Sequence, residues 1–399
     1  MTPFLGLLII LLITFVGARF LHRSTITKNP LFSGLIVSGF PYILIGIILG
    51  PQLFNFLNTQ IISSLEPLIA LAIGWVGLLF GLQLRWRNIR RFPRNYVLFT
   101  SVQSLVTFLV ILAAMGIGFL FIRHSLYKNQ LEAVIILAAL GSMTAPLTIA
   151  RIAIERKIKG RLTHLLQFIS SLDSFWGITI AGIVMAIFDP LQYHWINSGW
   201  IWLILCILIS TVLGLLFRYL IRLRFQQDEI FVLVLGLVIF TSGIGFYLKL
   251  SPIFMNFIIG ATLSQFPRES EKVMRVIHPA EKPTYLFLLV CAGALWNYRF
   301  WGEIVLIIIF ILARYFGKYL GGWISAWKID CAFQIPPNIG KALLSFGGIS
   351  LAIAFNFQLY HGGPISDFLM STTILGIIIF DEYTAVSTLN ILRKQGEAG

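Results

Sequence analysis

Leu140-Gly141-Ser142-Met143-Thr144-Ala145-Pro146 stands in the middle of an apolar run covering 130–153. A proline at this depth removes a backbone donor and leaves carbonyls of the preceding turn unpaired. In hydrocarbon such groups must be satisfied by protein or must line a polar cavity. A second interruption, Ser345-Phe346-Gly347-Gly348-Ile349-Ser350, falls inside the run 338–359. Paired glycines weaken a helix there. Broken helices at matching places of two halves point to a transporter's substrate site.

The rest of the chain fits that reading. It has 399 residues, 58% hydrophobic and 12% charged, with a mean hydropathy of +0.88. A soluble domain carries about 25% charged residues, so a soluble enzyme, a nucleic-acid binder and a disordered chain are excluded. Charge clusters and Gly/Pro/Asn punctuation divide it into thirteen spans near the ~20 residues a membrane helix needs: 3–21, 31–50, 61–83, 96–122, 130–153, 163–188, 199–222, 228–248, 251–265, 280–299, 301–325, 338–359 and 364–391. Met1 to Phe20 reads as a first spanning helix, not a cleaved leader, because its positive charges follow the apolar run. The expected fold is therefore an all-α polytopic membrane protein with no soluble domain. Spans 1–6 and 8–13 form two halves, and the connector span 7 makes them inverted repeats.

Orientation follows from the cations. With the N-terminus outside, 23 of the 30 Lys and Arg fall in inside loops, 4 in outside loops, and Arg19, Arg314 and Lys318 within spans. That asymmetry predicts N-out and C-in, in a bacterial inner membrane. Cys206, Cys291 and Cys331 are too few and too scattered for a disulfide framework or a metal site. All six histidines, His361 among them, read as residues of span ends or loops.

An ionisable group at membrane depth is costly and marks function. Asp173 lies about ten residues into span 6, or ~15 Å at helical rise. It reads as the deepest carboxylate; Asp381 and Glu382 are placed near the inner end of span 13. Arg314 is near mid-depth in span 11, with Lys318 one turn further along the same face. A carboxylate binds either a proton or a hard monovalent cation, while arginine keeps its charge. Asp173 with Arg314 as compensating partner is thus the minimum equipment for exchange by competition. Thr144, Ser171 and backbone oxygens at the breaks (Gly141, Pro146, Gly347, Gly348, Ser350) would complete the site, with Lys318 as a second compensating charge. No cofactor and no catalytic constellation is expected.

Phe40-Pro41-Tyr42-Ile43-Leu44-Ile45-Gly46-Ile47-Ile48-Leu49-Gly50-Pro51 resembles the opening signature of the cation:proton antiporter-2 family. Gly77-Leu78-Leu79-Phe80-Gly81-Leu82-Gln83-Leu84 resembles its next block, although the family usually has glutamate at Gln83. Thr144-Ala145-Pro146, Gly260-Ala261-Thr262-Leu263, and Leu286 to Val290 before Gly293 are similar too. The resemblance implies a sodium/proton antiporter-like fold with two crossing broken helices. It also implies a homodimer with scaffold helices in 1–83 and 228–299, a moving core in 96–188 and 301–391, and a connector at 199–222. Asp173 matches the family's ion-binding aspartate, and Arg314 the position of a lysine in several members. Leu172 replaces the carboxylate that precedes the ion-binding one in electrogenic members, so electroneutral exchange is expected.

The expected function is elevator-type exchange of Na+ or K+ for protons. An ion-coupled organic-anion carrier, with Arg314 and Lys318 binding substrate, and a non-transporting membrane sensor or scaffold are the alternatives. Lipid, a second copy of the chain and the cation are the expected partners; nucleic acid is not.

Overall fold

A computed structural model describes residues 39–84, 92–122, 130–188, 198–223, 225–297, 301–331 and 333–397, with Gly6, Leu8, Ile10, Leu12, Ile13, Thr14 and Val16. Most of the first expected span and the start of the second lie outside the described residues. So do Arg19, Arg23, Lys28, Arg85, Arg87, Arg90, Arg91, Arg123, Lys128, Arg224 and Arg299 of the charge count, and the histidines His22, His124 and His194.

Among the described residues the structure is helical and without strands. The helices are α1 (Phe40–Leu49), α2 (Thr59–Ser64), α3 (Glu66–Gln83), α4 (Arg94–Ile122), α5 (Gln130–Ser142), α6 (Pro146–Glu155), α7 (Arg161–Phe188), α8 (Gly199–Arg222), α9 (Gln227–Tyr247), α10 (Pro252–Ser264), α11 (Pro267–Leu295), α12 (Trp301–Lys328), α13 (Gly347–His361) and α14 (Gly363–Lys394), with a 3-10 turn at Ile339–Leu343. Seven of them, α3, α4, α7, α8, α9, α12 and α14, are long and apolar enough to cross a membrane. α1, α5 and α10 are shorter apolar helices.

Both expected interruptions are present. The first parts α5 from α6, with Pro146 at the first position of α6 and Ala145 extended before it. The second parts the 3-10 turn from α13, where Gly347 takes φ +66°, a left-handed value that favours glycine. One boundary differs widely. The span expected from 280 begins at Pro267, and α11 continues through Pro279 and Pro283. Pro279, with Arg268, Lys272 and Arg275 before it, reads as a loop in sequence, and Pro283 falls inside the expected span. In the structure Pro267 opens the helix, and Ser270, Val273 and Ile277 bury one face of its charged half.

Several helix pairs pack through glycine. α3 lies against α10, and α1 against α11. At these seams helix backbones touch: a Cβ on Gly81 would meet the backbone of Phe257 and Gly260, and one on Gly46 that of Val290 and Gly293. Close approach through small residues is how membrane helices associate where burial gives little drive. The glycines of the quoted motifs thus face one another across helix pairs. Elsewhere α4 packs on α12 and α5, α7 on α5 and α6, and α13 on α14.

α5 and α6 run from Glu132 through the break to the loop before α7. The start of α7 therefore lies on one face of the molecule, called here the His164 face. The C-terminal end of α13, where His361 meets Glu132 at 2.9 Å, lies on the opposite, His361 face. That contact is buried, and His361 is the last residue of α13. Beyond α14, the Glu397 carboxylate accepts the N–H groups of Leu162 (2.7 Å) and Thr163 (2.9 Å) and the Thr163 hydroxyl (2.8 Å). A carboxylate at a helix start satisfies orphan donors and complements the helix dipole, so Glu397 anchors the helix that carries Asp173.

Candidate ion-binding site

The two interruptions meet. The Ala145 N–H donates to the Ser345 carbonyl at 3.1 Å, and the Ser345 hydroxyl approaches the Ala145 carbonyl at 3.4 Å. Residues freed from helical pairing thus partly pair across the crossing, and the remaining groups point at side chains from α7, α12 and α14.

Asp173 on α7 is fully buried. Its Oδ1 accepts the Thr144 N–H at 3.1 Å, and its Oδ2 the Thr144 hydroxyl at 2.5 Å. Lys318 Nζ lies 3.1 Å from the same Oδ2 and is also fully buried. Its other donors go to the Ser142 carbonyl (2.6 Å) and Thr144 Oγ1 (2.8 Å). Three donors meet three acceptors, the full complement of an ammonium. The Leu343 carbonyl is 3.0 Å from Thr144 Oγ1, which brings the second interruption to the same hydroxyl.

Arg314 is not the partner of Asp173 here, contrary to the sequence expectation. Its guanidinium donates to backbone carbonyls of both breaks: Leu140 (3.2 Å), Gly141 (2.5 Å), Met143, Leu344 and Ser345 (each 3.0 Å). It lies over the Phe346 ring at 4.1 Å and the Phe380 ring at 5.3 Å. The fork of five donors suits several diverging carbonyls, whereas the compact ammonium of Lys318 suits a single carboxylate.

Asp381 is a second carboxylate at the crossing, which sequence position did not indicate. It is buried, and its Oδ1 accepts the Phe346 N–H at 2.6 Å. Counting residues along α14 places it near a helix end. The second break, however, brings the start of α13 into the interior, and Asp381 caps that start.

The serines divide. Ser174 donates to the Ser170 carbonyl (2.8 Å) and lies 3.1 Å from the Thr144 carbonyl. Ser171 is exposed and bonds within its own helix to the Gln167 carbonyl at 2.9 Å. Ser350 likewise bonds to the Phe346 carbonyl at 2.9 Å. Gly348 faces the Tyr285 ring. Pro146 opens α6, and Gly141 offers its carbonyl to Arg314.

A cavity of about 240 Å³ leads toward this site, lined by Gln83, His164, Gln167, Ser171, Leu172 and Ser174 and by rings including Phe80, Phe168 and Phe257. Gln83, His164 and Ser171 are exposed, so it opens on the His164 face; Leu172 and Ser174, the chain neighbours of Asp173, line it, while Asp173 itself is fully buried.

A helical membrane bundle in which two interrupted segments cross beside a buried carboxylate–ammonium pair is the architecture of an ion-translocating membrane domain. The chain belongs to the family described as sodium/hydrogen exchanger, transmembrane, which matches residues 10–392, and it is an integral membrane protein. Its fold is that of the sodium proton antiporter MjNhaP1 from Methanocaldococcus jannaschii. The structure of that protein at pH 8 has a TM-score of 0.62 at 18% identity, covering 99% of this chain and 97% of that one. A second structure of it, from an electron-microscopy map, gives 0.63 at 18% identity, covering 99% and 98%. No curated protein sequence matches.

Proposed function

We propose that this protein exchanges a monovalent cation, Na+ or K+, for protons, with Asp173 binding either in turn. The observation that carries the proposal is the buried Asp173–Lys318 pair at the crossing of two chain breaks. The pair neutralises the carboxylate when it holds neither ion. An arriving cation takes the place of the ammonium at Oδ2. Thr144 Oγ1, Ser174 Oγ and carbonyls of the breaks are the oxygens at hand, and hard monovalent cations favour oxygen donors. A proton arriving instead makes Asp173 neutral, and the carboxyl crosses without a cation. Membership of the sodium/hydrogen exchanger family supports antiport.

The moving body is α4–α7 with α12–α14, held together by the shared Arg314. The frame is α1–α3 with α9–α11, and α8 connects the two. The inverted relation of the halves, a homodimer formed through the frame, and a bacterial inner membrane with the His164 face cytoplasmic complete the proposal. An organic-anion carrier would need a cation open to substrate; Arg314 and Lys318 instead direct donors to carbonyls and to Asp173.

The test is cation-induced pH change in proteoliposomes across Na+, K+ and Li+. Asp173→Asn is expected to abolish the signal while the purified protein keeps its melting profile. A neutral amide cannot alternate between proton and cation. Full activity of Asp173→Asn would overturn the assignment.

A further inference from the structure

The cavity opens on the His164 face, and alternating access requires that the opposite face be closed when this one is open. On the His361 face, side chains of α13 reach across to the loop between α9 and α10. Asn356, fully buried, donates from Nδ2 to Ser251 Oγ at 3.0 Å. One turn further out, the Tyr360 hydroxyl donates to the Leu250 carbonyl at 2.8 Å and lies 3.5 Å from the Gly245 carbonyl. Both acceptors are fixed. Leu250 closes the end of α9 through its N–H to the Gly245 carbonyl (2.8 Å), and Ser251 caps α10 by accepting the Phe254 N–H at 3.2 Å.

Ties within the moving body differ in kind. At the same end of α13, His361 pairs with Glu132 of α5 at 2.9 Å, and Gln358 approaches Asp367 of α14 at 3.4 Å. The hydrogen bonds named above across to the frame are neutral; Asn356 Nδ2 also meets Met185 Sδ of α7 at 2.7 Å, and its Oδ1 is buried with no hydrogen-bond partner among the described residues. A neutral contact that leaves a buried acceptor unsatisfied is weaker than one fully paired. Such a contact can break and reform.

We propose that Asn356 and Tyr360, meeting Ser251 and the Leu250 carbonyl, are the gate of the His361 face, and that these contacts separate in every transport cycle. The inference rests on the antiport reading above. The gate residues act on access and touch no ion, so they are positioning residues. Asp173 carries proton and cation; Asn356 and Tyr360 decide from which side they arrive.

The test is a reversible lock. Ser251→Cys with Asn356→Cys is reconstituted as the full chain and assayed for cation-induced pH change, reduced and then oxidised, with cross-linking measured by mass spectrometry. The reduced protein should exchange. The cross-linked fraction should be silent and should recover on reduction. Full exchange by fully cross-linked protein would overturn the gate. Absence of exchange by the unmodified protein would instead overturn the antiport reading, so the two failures are distinguishable. Tyr360→Phe gives an independent measure if the double cysteine variant does not fold or cross-link. Losing one neutral hydrogen bond shifts an equilibrium by about threefold to tenfold. The apparent KM for cation supplied at the His361 face should fall by that factor, while the KM at the His164 face rises. Unchanged KM values at both faces would refute the gate.

Discussion

Lys318→Met is the most informative single change. It removes the ammonium and keeps most of the volume, so the loss is electrostatic. In the native site Nζ serves Asp173 Oδ2, Thr144 Oγ1 and the Ser142 carbonyl. Without it Asp173 keeps only the two donors of Thr144 and stands as an uncompensated buried charge. Breaking one side of a buried pair costs about 3–5 kcal/mol. Unfolding entropy near 2.1 cal/mol/K per residue over 399 residues is about 0.8 kcal/mol/K, so the melting temperature should fall by roughly 4–6 °C. Thermal unfolding in detergent measures this directly. Adding Asp173→Asn to Lys318→Met should recover most of the loss, since neither charge is then left alone. A double variant melting no higher than Lys318→Met would show that the two residues are not energetically paired.

Arg314→Ala is expected to lower melting further than Lys318→Met, because carbonyls of both breaks lose a buried donor at about 1–3 kcal/mol each. Asp173→Asn should not rescue it; rescue in a thermal melt would restore Arg314 as the partner of Asp173. Asp381→Ala should cost about 1–2 kcal/mol as a lost cap on α13, while Asp381→Asn, which keeps an acceptor for the Phe346 N–H, should retain most of that stability in the same assay. Exchange should be electroneutral, since Leu172 offers no second carboxylate and Asp173 carries one proton or one monovalent cation in turn. Transport rates at fixed ion gradients that respond to an imposed membrane potential would contradict this.

Both chain breaks were legible because proline and paired glycine are local signals that act on the backbone itself. Asp173 was legible because a carboxylate deep in an apolar run has few neutral explanations. The partner of Asp173 was not. Arg314 and Lys318 are one turn apart on one face of α12, and the choice turns on where the carbonyls of the two breaks converge, which is set by tertiary structure. Ser171 was a misplacement that helix geometry could have corrected. At 100° per residue it lies about 200° around α7 from Asp173, whereas Ser170 and Ser174 lie about 60° and 100° away. Asp381 escaped because depth was counted along a continuous helix, and the second break moves a helix start into the interior to meet it.

The glycine seams between α3 and α10 and between α1 and α11 carry a mechanical consequence. Where backbones touch, there is no side chain to change rotamer and absorb a displacement, so each pair behaves as a keyed joint. A single added methyl at Gly81 or Gly46 would meet the opposing backbone. Each of these seams therefore resists displacement along its whole length. Replacing either glycine by alanine would force the two helices of that pair apart.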